Sequence, residues 1–476
     1  MTRICMIAEG CYPYAVGGVS GWIDSMIRAF PQVEFCVLAI LADRSRRGRF
    51  VYALPDNVAS VDEVYLEDAD WGGRSARLSA RERQALRSLL TGGRTDWDGL
   101  FDLFNRRPSP DRLLMGEDFL RAASSLCDSR CAALPFSDFL WTMRSLCLPL
   151  FQALSSTPPR ADIYHCVSTG YAGVLGCLAQ RIHGGRLILS EHGIYTRERE
   201  EEIIRADWLR GDFKPLWIAQ FREMARLAYE RADVVTSLFA RARALQVELG
   251  CDPAKAVVTP NGIDPAAYEG APGKRPQDEG FVDVGAVLRV VPIKDIRTML
   301  RAFARARRRV PSLRLWLMGP EDEDPDYARE CRALADSLPE GGVVFTGRID
   351  TRAWIGRMDF MILTSISEGQ PLIILESFAA RRPVIATDVG SCRELILGAD
   401  GDGFGEAGLV TRVMDEEAIA DAMVALALDP DRRRAMGEAG HARVTERYTL
   451  SGMRRTYESI YRAAAERTGA AWPASE

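Results

Sequence analysis

Short apolar segments that end in small-residue loops and lead into helical periodicity recur along the chain, and this alternation constrains the fold more than any other feature. Residues 3 to 41 show it first: a strand through Ile4, Met6 and Ala8, a Gly-rich loop, a helix over Val19 to Phe30 and a second strand over Val33 to Leu41, which make one βαβ unit. It returns at A161-D-I-Y-H-C-V167, a helix after Gly170, R186-L-I-L-S190, an Arg/Glu-rich helical region to Arg231, D233-V-V-T-S237 and A256-V-V-T259. A fresh series has strands near 281–287, 312–318, 342–346, 358–363, 383–387 and 407–411. At 476 residues the chain is too long for one ordinary core. The pattern predicts two parallel-sheet α/β domains, 1–275 and 276–446, with a helical insertion at about 71–155 in the first. The linker-like G270-A-P-G-K-R-P-Q-D-E-G280 lies where they join, and a final helical stretch, 447–476, is expected to pack back on the first domain.

Composition excludes several classes of function. No window reaches the roughly 18 apolar residues that span a bilayer, and the start T2-R-I-C-M-I-A-E turns acidic too soon for a signal peptide, so the expectation is a soluble cytoplasmic protein. A net charge of −5 disfavours nucleic acid as a bulk partner. Eleven scattered cysteines without a C-x-x-C pair read as reduced, intracellular usage; Cys127 and Cys131 stand four apart but lack partner ligands nearby. With four histidines, a His-rich metal site is disfavoured too, and none is expected. The acidic E321-D-E-D-P-D326 reads as a solvated loop.

The run S365-I-S-E-G-Q-P-L-I-I-L-E-S-F-A-A380 carries most of the chemistry. It sets Glu368 and Glu376 at either end of a Gly-Gln-Pro turn that opens a short apolar helix. Gly369 permits close backbone approach, Pro371 suits a first helical turn, and free N–H groups at such a turn favour phosphate. Carboxylates on either side are poor phosphate ligands but good acceptors for sugar hydroxyls. The pattern suggests a sugar nucleotide, although each glutamate alone also reads as a solvated turn or helix residue. Upstream, V284-G-A-V-L-R-V-V-P-I-K-D-I-R is a buried strand followed by a loop with Arg289 and Lys294. Lys and Arg total 61 but only four are lysines, so Lys294 stands out in an arginine-rich chain.

Seven blocks in order resemble the retaining glycosyltransferases of the GT-B architecture, family 4, whose signature is Glu-x7-Glu: Y14-A-V-G-G-V-S20, S190-E-H-G193, V258-T-P-N-G-I-D264, the Arg289/Lys294 pair, F345-T-G347, Glu368 with Glu376, and the stretch Pro383 to Ile396. Within that family the E191-H-G-I-Y-T-R-E-R-E-E-E-I-I204 segment and the insertion are most similar to the cytoplasmic glycosyltransferases of bacterial Pel-type exopolysaccharide systems, which serve biofilm.

The resemblance implies two Rossmann-like domains facing across a cleft and hexosyl transfer from a UDP-sugar to a growing polysaccharide. No cofactor or metal is implied; the UDP-sugar is donor substrate and UDP the product. Arg289 and Lys294 would hold the diphosphate, Glu376 the ribose and Glu368 the donor sugar. Backbone groups of Gly369, Gln370, Pro371 and Leu372 would line sugar and phosphate, while Arg348 and Ile349 meet the base. His192 would contact the donor sugar near the reaction centre, and Gly17 and Gly18 would offer N–H groups to phosphate or acceptor. His192, Glu368, Arg289 and Lys294 are thus the expected catalytic residues. The resemblance also implies work beside an inner-membrane synthesis and export complex, with recruitment to the membrane's inner face. One departure is Leu288, where the family has Gly before the arginine, with Gly285 displaced upstream. A tight dinucleotide turn with Asp43 as ribose acid fails on spacing. A sugar-nucleotide 2-epimerase of the same fold and a non-catalytic sensing subunit remain as rival readings. Glucose and N-acetylhexosamine both stay open as the donor sugar, as does the acceptor.

Overall fold

The computed structural model describes residues 2–68, 77–91, 93–106, 108–130, 135–339, 341–399 and 401–473. It is α/β, with two Rossmann-like parallel sheets as the alternation predicts. Residues 1–237, 242–258 and 457–476 form one compact unit, and residues 238–241 with 259–456 form another.

The first unit holds seven strands: β1 (Arg3–Glu9), β2 (Glu34–Leu41), β3 (Val58–Tyr65), β4 (Ile163–Cys166), β5 (Arg186–Glu191), β6 (Val234–Ser237) and β7 (Ala256–Val258). They lie in the order β3-β2-β1-β4-β5-β6-β7, parallel throughout. β1 reads as an almost unbroken apolar run because both sheet faces are covered; Ile4 through Ala8 are at most 1% exposed. β3 is the one strand passed over in the sequence. It is an edge strand, paired only to β2, and its V-A-S-V-D-E-V-Y run is mostly half-buried, so no continuous apolar signal marks it.

The inserted helices run from Ala80–Leu90 to Phe136–Ser155. The first is opened by a capping box, in which Ser79 and Glu82 each satisfy the other's backbone N–H. Leu86, Leu100, Phe104, Phe139, Leu150 and Phe151 give this insertion a core continuous with that of the first sheet. Cys127 is buried there, while Cys131 lies outside the described residues.

The second unit holds β8 (Val282–Val287), β9 (Leu313–Met318), β10 (Val343–Gly347), β11 (Phe360–Leu363), β12 (Val384–Thr387) and β13 (Gly408–Thr411), in the order β10-β9-β8-β11-β12-β13, again all parallel. Its boundary falls at 258/259, not at 275/276. The linker-like segment is tied down here: Lys274 pairs with Asp283 at 3.1 Å and also with Asp359, Arg314 reaches Asp278 at 2.8 Å, and Tyr268 is buried in the second core. The helix Leu450–Thr468 begins in the second unit and passes into the first at Tyr457. Its Tyr461 hydroxyl meets His165 Nδ1 at 2.7 Å, and His165 Nε2 meets Ser190 Oγ at 2.7 Å. This buried network is neutral, since burial lowers the imidazole's pKa to about 3. Among the described residues no helix is long and apolar enough to cross a membrane.

Candidate functional site

In open parallel sheets ligands bind outside the carboxyl ends of the strands, where the strand order reverses. In the second unit that point lies between β8 and β11. The loop after β8 carries Arg289 and Lys294, and the loop after β11 carries Glu368 to Pro371, so sheet topology alone brings the two sequence motifs together.

Their juxtaposition is held locally. Pro292–Lys294 forms a single 3-10 turn that ends at Asp295, a non-glycine residue with φ of 46°. Thr364 Oγ, at the end of β11, donates to the carbonyl of Lys294 at 3.0 Å, and the Ile366 N–H donates to the carbonyl of Ile293 at 2.8 Å. These bonds hold a left-handed backbone that would otherwise cost about 1 kcal/mol or more. Lys294 Nζ then lies 2.5 Å from Glu368 Oε1, which also accepts from Ser365 Oγ at 2.5 Å. The pair is largely buried, at 17% and 12% side-chain exposure, so it is a directed contact. Gly390, at φ of 54°, supports the Glu368–Gly369 backbone: a Cβ there would stand 2.2 Å from the Glu368 carbonyl oxygen. The Ser391 N–H donates to the Gly369 carbonyl at 2.9 Å.

Arg289 is half-exposed and makes a two-pronged contact, 2.5 and 2.7 Å, with Glu323. The acidic loop read as solvated is thereby partly engaged, with Glu321 on Arg332 as well. Leu288, where the family has glycine, is buried, and Gly319, the residue after β9, crosses so close that a Cβ there would stand 1.8 Å from the Leu288 carbonyl oxygen. Glu376 sits in the helix Leu372–Ala379, for which Pro371 is the N-cap residue and not, as the sequence suggested, part of the first turn. Burial raises the Glu376 carboxyl's pKa, opposed by a hydrogen bond from Tyr268 and by the charge of Arg352. The sequence reading missed both supports. Gln370 is buried and accepts from the Asn261 N–H at 2.6 Å. Arg348 is exposed after β10, Ile349 packs on the second core, and Leu372 is exposed.

The remaining expected residues lie in the first unit. Gly17 is the N-cap of the helix Gly18–Ala29 with extended backbone, and neither Gly17 nor Gly18 has an atom within 4 Å of a built Cβ. Packing therefore does not demand glycine at either place, which leaves room for a ligand. His192, just past β5, stands edge-on to Trp22 with ring centroids 4.5 Å apart. Burial lowers its pKa to about 4, and its Nε2 has no partner among the described residues. The Arg-rich helices that follow neutralise much of their own charge: Arg199 with Glu202, Arg222 with Glu200, and Arg226 with Glu223 and Glu230.

Both units are parallel sheets, and in the second the charged turns stand at the strand-order reversal. Residues 281–429 match the family described as glycosyl transferases group 1. The chain belongs to the family described as a domain of unknown function, DUF3492, which matches residues 2–254, more than half of its length. It is 27% identical over 319 residues to the alpha-maltose-1-phosphate synthase of Mycolicibacterium smegmatis, covering 62% of this chain and 77% of that protein. It is 33% identical over 262 residues to the D-inositol 3-phosphate glycosyltransferase of Kineococcus radiotolerans, covering 50% of this chain but only 58% of that one. The fold is shared with Anabaena HepE, solved in complex with UDP, at a TM-score of 0.63 and 16% identity over 97% of this chain and 100% of that one.

Proposed function

We propose that the protein is a retaining hexosyltransferase that moves a sugar from a UDP-sugar to a growing exopolysaccharide of the Pel type, without a metal. The Lys294–Glu368 contact carries this reading: it places an ammonium and a carboxylate together at the strand-order reversal of the second unit. A nucleotide sugar needs both, a cation for the diphosphate and an acceptor for sugar hydroxyls. Glycosyltransferases among the relatives and the UDP complex of HepE support a UDP-sugar donor.

In this reading Arg289 and Lys294 take up the charge of the departing diphosphate, Glu376 accepts from the ribose hydroxyls, and Arg348 and Ile349 meet the base. Glu368 and the backbone of Gly369 to Leu372 hold the donor sugar. In the first unit, His192 contacts the sugar, and Gly17 and Gly18 offer N–H groups. The bond from C1 to phosphate breaks with its electron pair leaving on UDP. The acceptor oxygen bonds to C1 on the same face, and its proton passes to a phosphate oxygen. The enzyme works in the cytoplasm beside a membrane complex that synthesises and exports the polymer.

Calorimetric titration with UDP-glucose, UDP-N-acetylglucosamine, UDP-N-acetylgalactosamine and GDP-mannose, without added metal, tests the donor assignment. Selective binding of one UDP-sugar is expected. Binding of none, or of GDP-mannose alone, contradicts it.

A further inference from the structure

The loop that leaves β2 joins two features that a merely solvated loop does not need together. Residues 42–51 are exposed without a break, and within them R44-S-R-R-G-R49 runs directly into Phe50 and Val51, which are 39% and 54% exposed. In the loop that leaves β1, Val16 is 82% exposed, the highest value for a large apolar side chain among the described residues.

The two loops are fastened side by side. The Val51 N–H donates to the carbonyl of Pro13 at 2.9 Å, Tyr14 stands edge-on to Phe50 with ring centroids 5.3 Å apart, and Tyr12 meets Tyr52 at 5.2 Å. Gly48, with φ of 64°, turns the chain so that its N–H reaches Glu63 at 3.0 Å. Val16, Phe50 and Val51 are thereby held at one end of the first unit, the carboxyl end of β1 and β2.

Carboxylates nearby neutralise only part of the basic charge. Arg44 pairs with Asp68, and Arg47 lies 3.7 Å from Glu63, which also accepts from Tyr14, Tyr65 and the Gly48 N–H. Asp43 caps the turn by accepting from the Ser45 N–H at 2.7 Å. Arg46 and Arg49 form no ion pair with a described residue, and Arg46 acts on Asp43 without touching it. From Asp43 to Val51 the chain carries four arginines against one aspartate. Water suits the arginines but not the apolar tips, and an apolar partner suits the tips but not the arginines. A surface with anions outside and hydrocarbon beneath suits both.

We propose that this paired loop is a docking surface for an anionic lipid bilayer, with Arg46 and Arg49 at the headgroups and Val16, Phe50 and Val51 inserted between them. Each arginine at such a surface is worth about fivefold in affinity. Docking turns toward the bilayer the end of the first unit that carries Gly17 and Gly18. That an acceptor is met there rests on the glycosyltransferase reading; the docking itself does not.

The test is flotation of the protein with vesicles of phosphatidylcholine alone and of phosphatidylcholine mixed with phosphatidylglycerol, at low and high salt. Wild type should bind the mixed vesicles and not the neutral ones, and high salt should release it. The double variant Arg46→Ala with Arg49→Ala should lower partitioning about thirtyfold. Val16→Ser with Val51→Ser should lower it about tenfold and leave the salt dependence in place. Thermal melts and UDP titrations of both double variants in solution should match wild type. Equal binding to both kinds of vesicle, or folded variants that bind as wild type does, overturns the surface. So does a wild type that floats with neither, in which case these side chains face a protein. A wild type that binds mixed vesicles but not UDP would instead overturn the glycosyltransferase reading and leave the docking surface standing.

Discussion

At the strand ends of the second unit two cations rest on carboxylates; beside β5 of the first unit a few buried neutral groups have no partner among the described residues. Lys294 rests on Glu368 and Arg289 on Glu323, whereas His192 Nε2, Thr196 Oγ1 and Trp22 Nε1 are buried without a hydrogen-bond partner among the described residues. The contrast fits two different ligands. A diphosphate can displace a carboxylate from a cation, so a paired site stays soluble and ordered until the nucleotide arrives. Hydroxyls bring no net charge, so a site for them can wait with neutral groups unmet, at a cost in stability that the rest of the unit must cover.

The largest test of this difference uses acid. His165 is buried neutral in the first unit, its pKa depressed to about 3, while the unfolded chain titrates near about 6.5. The unfolded state binds the extra proton between those values, so the histidine's share of stability is present above about pH 6.5 and is lost as pH falls toward 3. The share is on the order of 5 kcal/mol. The second unit's histidine, His441, is half-exposed with its pKa lowered by burial, and it should matter far less. Hydrogen exchange at pH 7.5 and 4.5 should show β4 and the helix Leu450–Thr468 loosening first, with β11 and β12 holding. His165→Leu should reduce that response, leaving the part that His192, also buried in the first unit, contributes; equal loosening of both units would erase the contrast.

Lys294→Ala comes next. It removes the cation and strands Glu368, and turnover of the bound UDP-sugar, read as kcat/KM from UDP release, should fall about a thousandfold, on the order of 4 kcal/mol. A fall of only a few-fold in a folded variant would mean that the pair serves structure and not chemistry.

The two units also differ in how far their sites could be read beforehand. In the second, Lys294 and Glu368 fall in two short runs at the ends of two strands, so alternation and turn chemistry were enough to bring that pair together. What stayed hidden there were supports from a distance: Tyr268, in a stretch that reads as the approach to a linker, and Gly390, whose need for glycine arises only from the backbone above it. In the first unit β3 was lost because an edge strand carries no continuous apolar run.

The central claim is that the second unit holds the nucleotide through these motifs, and calorimetric titration of UDP into wild type and Glu376→Ala tests it most directly. Loss of the ribose acceptor should weaken UDP by about 10- to 100-fold, on the order of 2 kcal/mol, while the variant keeps its melting temperature within a few degrees. Equal affinity in both proteins would contradict the account.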